Sequence, residues 1–367
     1  MPNDPCRPTT SDNRSAVRCE RAAAELRFGR PVRIDGAHES WLVLALDAAR
    51  PSDYQRFAAA ADARLRLFVT TSRAARLGLT SSMNRVLDID GLGHEVACAL
   101  AYRPAPQAVP TDAPAPALLD AAAQLARLAL LLPALVCMPA DASPFDDCLG
   151  VNEADIAALD QTQADFEAIA DTPVPLDGIG EARFVVFRGG VAQRDQIAIV
   201  VGDISSLAAV PVRLHSACLT GDLLASLKCD CGDQLRATLA RLAERGAGVL
   251  LYLDQEGRGT GIGAKIRAYG YQRDGLDTVD ADAELGFGDD ERRYHAAVAM
   301  LQGLGIQRVE LFTNNPAKIA YLEAAGIEVV GRIELPAAVT PDNRRYLAAK
   351  ASRSGHWIDI DHEASGR

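Results

Sequence analysis

Apolar residues recur along the chain in short runs at two spacings. Between residues 32 and 46, and again between 65 and 71, the runs have strand length, while residues 54–63 space their apolar side chains as a helix does; together they predict a small α/β or α+β module. A second helical pattern occupies about 118–132. A polar, helix-like stretch then runs from 152 to 170 into a turn at Pro173 and Pro175, where the main boundary is placed. Beyond residue 182 the pattern becomes regular. Residues 184–187 and 196–201 read as paired strands, and strands and helices then alternate through 248–253, 262–272, 291–303, 308–313, 316–325 and 328–330, as expected of an α/β or α+β domain. Five prolines within residues 104–116 mark a linker or an irregular excursion, because proline ends both helices and central strands. The expected organisation is a flexible leader (1–18), a first folded domain (19–150), a linker helix (151–171), a main domain (172–360) and a tail (361–367). No internal repeat is visible.

A length of 367 residues agrees with about two domains. Hydrophobic residues at 49% and charged residues at 24% exclude collagenous, disordered and membrane classes. The formal net charge of −11 repels phosphate backbones at long range, so neither nucleic acid nor membrane is an expected partner. Any anionic ligand must then be held by locally placed Arg and Lys. The most apolar stretch, 121–138, is interrupted by Gln124, Arg127 and Pro133, which predicts a buried helix rather than a membrane span. Charges throughout the first thirty residues argue against a secretory segment, and the expected compartment is a reducing cytoplasm. Cys6, Cys19, Cys98, Cys137 and Cys148 are scattered and read as small buried or neutral residues.

The other three cysteines carry chemistry. Cys218, Cys229 and Cys231 fall within fourteen residues. Zn²⁺ best suits such soft ligands, and three protein ligands with one open position is the arrangement of a catalytic rather than a structural zinc. A structural site completed by His215 and a metal-free cluster of buried thiols are the alternatives. Arg213 to Ser216 leaves a strand-like segment just before Cys218. Gln255 to Gly261 follows the strand at 248–253 and opens a helix carrying Lys265 and Arg267; amides at such a Gly-rich entrance, with converging guanidinium groups, suit a polyphosphate, although many loops of this kind are only turns. Residues 289–293 (Asp-Asp-Glu-Arg-Arg) read either as a solvated helix start with an Asp cap or as a carboxylate for proton transfer beside an Arg near phosphate. Thr313 to Lys318 form a strand end, a turn and a helix with proline in its first turn.

In this order the segments R-x-H-S-x-C-L-T-G-D, L-x-C-D-C-G-x-Q-L, Q-E-G-R, K-I-R-A-Y, D-T-V, D-E-R and T-N-N-P-x-K resemble GTP cyclohydrolase II, a zinc enzyme that opens the imidazole ring of GTP at the start of riboflavin synthesis. The resemblance spans about residues 171–360 and implies a mixed sheet with flanking helices. It implies Cys218, Cys229 and Cys231 as ligands of one Zn²⁺ per chain, and Mg²⁺ with the GTP phosphates. GTP contacts are implied for Arg213, Leu214, His215, Ser216, Ala217, Gln234, Glu256, Gly257, Arg258, Thr278, Thr313 and Lys318. Asp290 corresponds to a proton acceptor, Arg292 to a nucleophile towards the α-phosphate, and Tyr269 to an active-site tyrosine. The resemblance also implies a homodimer. Two departures stand out: Ala217 replaces the Glu that usually precedes the first zinc cysteine, and Thr260 replaces an apolar residue in the Q-E-G-R loop.

The first domain resembles dihydroxybutanone-phosphate synthase at residues 24–32 and 72–79. Where that family has an acidic metal-binding run, residues 34–41 hold only two carboxylates, Asp35 and Glu39, so the domain is read as degenerate and non-catalytic. The rival reading of the whole chain is a catalytically silent or altered-specificity nucleotide-binding paralogue. An open three-cysteine site argues against silence.

Overall fold

The computed structural model describes residues 14–104, 106, 108–141, 145, 147–159, 166–192, 194–288, 290–335, 339–353, 355 and 357. Two mixed seven-stranded sheets organise them. The first unit runs α1 (Arg14–Arg27), β1 (Val32–Asp35), β2 (Ser40–Ala45), α2 (Pro51–Ala60), β3 (Arg66–Val69), α3 (Thr71–Arg76), β4 (Arg85–Asp88), α4 (His94–Tyr102), β5 (Asp112–Pro114), α5 (Ala117–Leu128), β6 (Leu135–Pro139), β7 (Gly150–Asn152) and α6 (Glu153–Ala157). Its strands lie in the order β5-β4-β3-β6-β2-β1-β7. The alternation along β2 and β6 sends Val43, Ala45, Leu135 and Cys137 to one face, with α1 and α5, and Leu42, Leu44, Val136 and Met138 to the other, with Tyr54, Phe57 and Cys98. The scattered Cys19, Cys98 and Cys137 are buried in these cores, as their bland reading expects.

The second unit runs β8 (Phe166–Leu176), β9 (Gly180–Gly189), β10 (Arg194–Val201), β11 (Val210–Ser216), α7 (Leu219–Asp222), α8 (Cys231–Glu244), β12 (Gly248–Leu253), a 3-10 turn (Glu256–Gly259), α9 (Gly261–Arg273), α10 (Thr278–Glu284), α11 (His295–Gly303), β13 (Arg308–Phe312), α12 (Pro316–Ala324), β14 (Glu328–Ile333) and α13 (Arg344–Arg353). Strand order is β14-β13-β11-β12-β10-β9-β8. β8, β9, β10 and β12 pair antiparallel, whereas β12, β11, β13 and β14 pair parallel. Because β12 lies on one side of β11 and β13 on the other, the direction of winding reverses at β11, and a crevice opens beyond the carboxyl ends of these strands.

Four expectations are corrected. Residues 14–18 belong to α1, not to a leader, because Ala16, Cys19, Ala22, Ala23 and Leu26 form an apolar stripe seated on the first core. Within 152–170 the described residues form a helix at Glu153–Ala157 and the start of β8 at Phe166, residues 160–165 lying outside the described residues; Pro173 and Pro175 lie inside β8, which as an edge strand can hold prolines that a central strand could not. The apolar stretch 121–138 divides at Pro133 into the end of α5 and the central strand β6, whose continuous apolar run cannot be told from buried helix by spacing. Residues 290–294 are an irregular loop and the helix starts at His295; Asp289 lies outside the described residues, as do the tail 361–367 and Cys6. Within the proline-rich 104–116 the described residues include the edge strand β5, and residues 105 and 107 lie outside them. Among the described residues no helix is long and apolar enough to cross a membrane.

Gly202 closes β10 with φ +65°, and a Cβ there would lie 1.9 Å from the Gly246 carbonyl oxygen. Gly202→Ala is therefore expected to destabilise the second unit by about 3 kcal/mol, combining backbone strain with a forced shift, measured by denaturant unfolding.

Candidate active site and metal centre

The crevice at the ends of β11, β12 and β13 encloses about 1090 Å³ including its open mouth. β11 supplies its floor. Val212 and Leu214 turn into the apolar core, so the two-residue period brings Arg213 and His215 to the opposite face, towards the cleft. Arg213 is only 7% exposed; its Nη1 donates to the Phe312 carbonyl at 3.0 Å and its Nη2 to Gln234 Oε1 at 2.5 Å, while Gln234 Nε2 donates to Asp230 Oδ2 at 2.5 Å. Burial pulls the Arg213 pKa down to about 10. His215 Nε2 lies 3.1 Å from both oxygens of Asp222, which also accepts from the Cys218 amide at 3.0 Å and from Tyr252 Oη at 2.9 Å. Burial lowers the His215 pKa, so its imidazole is neutral near pH 7. Among the described residues His215 Nδ1, Ser216 Oγ and Arg213 Nε are buried without a protein partner. Buried polar atoms are otherwise nearly always paired, so a wall with three orphans suits a polar ligand.

Beyond β11 the chain turns at Cys218. The sulfurs of Cys218, Cys229 and Cys231 all lie within 4.8 Å of one another, with Cys218 and Cys229 at 3.6 Å. A Cβ on Gly221 would stand 2.9 Å from Cys229 Sγ and 3.1 Å from Cys218 Sγ, so the third face of the cluster is closed by a residue with no side chain. Three thiols at this spacing fit one ion at ~2.3 Å from each sulfur. Hydrogen bonding with Cys229 and Cys231 pulls the Cys218 pKa far below its ordinary value, and Lys265 Nζ, donating to Cys218 Sγ at 3.1 Å, adds to the effect. A resident thiolate is the form that binds metal. His215 engages Asp222 instead of completing the cluster, and no other His, Asp or Glu among the described residues joins the three sulfurs.

The second wall is the turn after β12 with α9 and α10. Glu256 accepts from the Leu219 amide at 2.6 Å, from the Gly257 amide at 2.9 Å and from Lys265 Nζ at 2.8 Å, which ties this turn to the cysteine loop. Arg258 sits at φ +60°, strained for a residue with a side chain, and its Nη1 lies 3.5 Å from Asp282 Oδ2 on α10. Tyr269, Gln272 and Thr278 line the same wall. Burial raises the Tyr269 pKa, so its hydroxyl is protonated at neutral pH.

Around the far rim, Arg292 lines the cleft from the loop before α11 and is forked by Asp290, with Nε at 2.8 Å and Nη2 at 2.5 Å from the two carboxylate oxygens. Burial opposes both ionisations, yet the pairing holds the Asp290 carboxyl below its ordinary value and, with Tyr294, raises the Arg292 pKa. Lys318 donates to the Leu214 carbonyl at 2.7 Å, and Thr313 Oγ1 accepts from the Asn315 amide at 2.9 Å. In an acidic chain, Arg213, Arg258, Lys265, Arg292 and Lys318 thus gather at one crevice.

The structure brings sixteen of the eighteen proposed site residues to one cleft. Arg213, His215, Ser216, Ala217, the three cysteines, Gln234, Glu256, Gly257, Arg258, Tyr269, Thr278, Arg292, Thr313 and Lys318 line the cleft. Asp290 meets it through Arg292, and Leu214 faces the core while its carbonyl holds Lys318. Asp222, Asp282 and Tyr346 were not anticipated as parts of the site; Asp222 carried a signal in its position four residues after Cys218, but the other two are identified only by tertiary proximity.

The family model "GTP cyclohydrolase II" matches residues 167–334. A GTP cyclohydrolase-2 from Xylella fastidiosa (strain 9a5c) is 50% identical over 95% of this chain and 89% of its own length. One from Azospirillum brasilense is 40% identical over 92% of this chain and 93% of its own. Another, from Pseudomonas aeruginosa (strain LESB58), is 47% identical over 54% of this chain but 95% of its own length. A solved two-domain 3,4-dihydroxy-2-butanone 4-phosphate synthase from A. baumannii is 18% identical, with a TM-score of 0.31, over 87% of this chain and 99% of that one.

Gly221→Ala is expected to lower zinc affinity about 10- to 100-fold with circular dichroism unchanged, and Cys229→Ser to abolish stoichiometric binding. Elemental analysis checks both. Full zinc occupancy in a variant with all three cysteines replaced by Ser would remove the metal assignment.

Proposed function

The chain belongs to the GTP cyclohydrolase II family, a family of hydrolases, and on that premise we propose that it is a zinc-dependent enzyme converting GTP to 2,5-diamino-6-(5-phosphoribosylamino)pyrimidin-4(3H)-one, formate and pyrophosphate, the first step of riboflavin biosynthesis. The observation that carries this reading is the cluster of Cys218, Cys229 and Cys231 opening onto a cleft walled by cations. Zinc held by the three sulfurs would supply Lewis acidity towards water and the guanine ring. Arg213, Arg258 and Lys318 would hold the triphosphate, with Mg²⁺ accompanying it. His215, fixed by Asp222 with its Nδ1 orphaned, and Ser216 Oγ would take polar atoms of the nucleotide. Tyr269 would donate a proton-bearing hydroxyl beside the metal, and Glu256 would keep Lys265 against Cys218.

Arg292 is charged at any working pH, and its fork with Asp290 strengthens that charge. A guanidinium held this way serves better as an electrostatic clamp on the α-phosphate than as a nucleophile, which would need a neutral nitrogen. Asp290, with both oxygens on Arg292, would orient the clamp and accept a proton only when that fork opens. The chain's other assignments are a cytoplasmic location and a homodimer; exposed Leu223, Leu224 and Leu227 beside the cysteine loop give such a dimer apolar surface to cover.

Incubation with GTP, Zn²⁺ and Mg²⁺ should yield equal formate and pyrophosphate. Arg292→Ala should reduce both about 10²- to 10³-fold, while Arg292→Lys, retaining charge without the planar fork, should keep partial activity. Loss of pyrophosphate release in both variants would point to a covalent role. Wild-type yields from Arg292→Ala would refute the assignment of this loop.

For the first unit we propose a non-catalytic role. Asp35 is taken by Arg33 Nε at 2.9 Å and Ser40 Oγ at 2.7 Å, and Glu39 accepts from Trp41 Nε1 at 2.9 Å, so both carboxylates of the degenerate acidic run are engaged by neighbours. Full-length protein given ribulose 5-phosphate should form no dihydroxybutanone phosphate above a heat-killed control.

A further inference from the structure

The cleft wall formed by α9 and α10 has its back against the first unit. Leu132, in the connection between α5 and β6, packs into one apolar cluster with Ala264 and Ala268 of α9, Ala281 of α10, Leu285 and Phe287. Thr70 Oγ1 donates to the Gly286 carbonyl at 2.8 Å, and Tyr271 Oη on α9 donates to the Tyr102 carbonyl at 2.5 Å. At the centre is Arg73, 1% exposed on α3. Its Nε donates to the Leu100 carbonyl at 2.8 Å and its Nη2 to the carbonyls of Ala99 at 2.9 Å and Arg103 at 2.7 Å, all at the carboxyl end of α4. The remaining nitrogen, Nη1, is paired with Glu284, itself 3% exposed, in the last turn of α10. Arg76 Nε donates to the other Glu284 oxygen at 2.7 Å.

Asp282, two residues before Glu284 on α10, and Thr278, six residues before it, line the cleft, and Asp282 lies within 3.5 Å of Arg258. A helix of seven residues with one end clamped has little freedom left at the other. We propose that Arg73 is a positioning residue for the nucleotide cleft: by neutralising Glu284 while anchored to three α4 carbonyls, it fixes α10 and hence the Asp282–Arg258 pair, so that the first unit is an internal brace for GTP binding by the second. The geometry favours this over a merely adhesive contact because a buried guanidinium with every nitrogen engaged has one allowed position, and a misplacement of about 1 Å at binding groups is enough to cost a large factor in turnover or affinity. The substrate half of the proposal rests on the GTP reading of the cleft.

Hydrogen exchange and GTP kinetics on full-length protein test it. Glu284→Gln keeps the side-chain shape and leaves Arg73 its three carbonyls. It should speed amide exchange in residues 278–286 about tenfold and raise KM for GTP about tenfold, with kcat changed by less than about twofold and zinc content unchanged. Arg73→Met should give the same signature, and the double variant should be no worse than either single one, as a shared interaction requires. If Arg73→Met yields no folded protein, Glu284→Gln decides alone. Unchanged exchange and KM in Glu284→Gln overturn the proposal; faster exchange with unchanged KM also overturns it, leaving Arg73 as a structural contact only. Absence of wild-type turnover would count against the GTP reading, while the exchange data would still decide whether Arg73 holds α10.

Discussion

Everything at the site follows from a conflict on β11. A parallel strand flanked on both sides must be buried, yet this one carries Arg213 and His215 on the same face. Burying such groups is costly unless they are hydrogen-bonded. The structure answers by converging partners from distant segments: the Phe312 carbonyl and Gln234 for Arg213, Asp222 for His215. Those partners belong to β13, α8 and α7, so satisfying two side chains draws together the strand ends, the cysteine loop and the helix that follows it. Among the described residues satisfaction stops short at Arg213 Nε, His215 Nδ1 and Ser216 Oγ, all on residues that line the cleft. A core position would have been replaced by an apolar residue; a ligand site has reason to keep its polar atoms waiting.

Asp222 and Glu256 do comparable work on the metal side. Asp222 joins His215, Tyr252 and the Cys218 amide, so the nucleotide floor and the first cysteine cannot move independently. Glu256 joins the Leu219 amide, the Gly257 amide and Lys265, linking the cysteine loop to the strained turn that carries Arg258. The two carboxylates are thus the rigid supports that a preformed site needs, and both stand outside the cysteine triad itself.

The relation between the two units has a similar logic. Arg73 and Glu284 are buried together, and such a pair adds little net stability compared with apolar packing but is severely disruptive when one member is removed. Its value lies in geometry. With Arg267 paired to Asp47 and Tyr271 bonded to Tyr102, the pair gives α9 and α10 fixed stations on the side opposite the cleft.

Periodicity and spacing determined much of this protein. The paired strands β9 and β10, strand β12 to the residue, the helices α9 and α12, and the three-cysteine motif were legible because each is a local pattern: alternation, a 3.6-residue stripe, or ligands within fourteen residues. Prolines 173 and 175 misled because their meaning depends on whether the strand is at an edge, and residues 121–138 misled because a buried strand and a buried helix are equally apolar. Tertiary structure alone decided that Lys318 meets the Leu214 carbonyl, that Asp290 reaches the site through Arg292, and that Arg73 meets Glu284 across 211 residues of chain. No local pattern encodes such contacts. They arise when buried charges, which cannot remain unpaired, select among the partners that the packed sheets bring within reach.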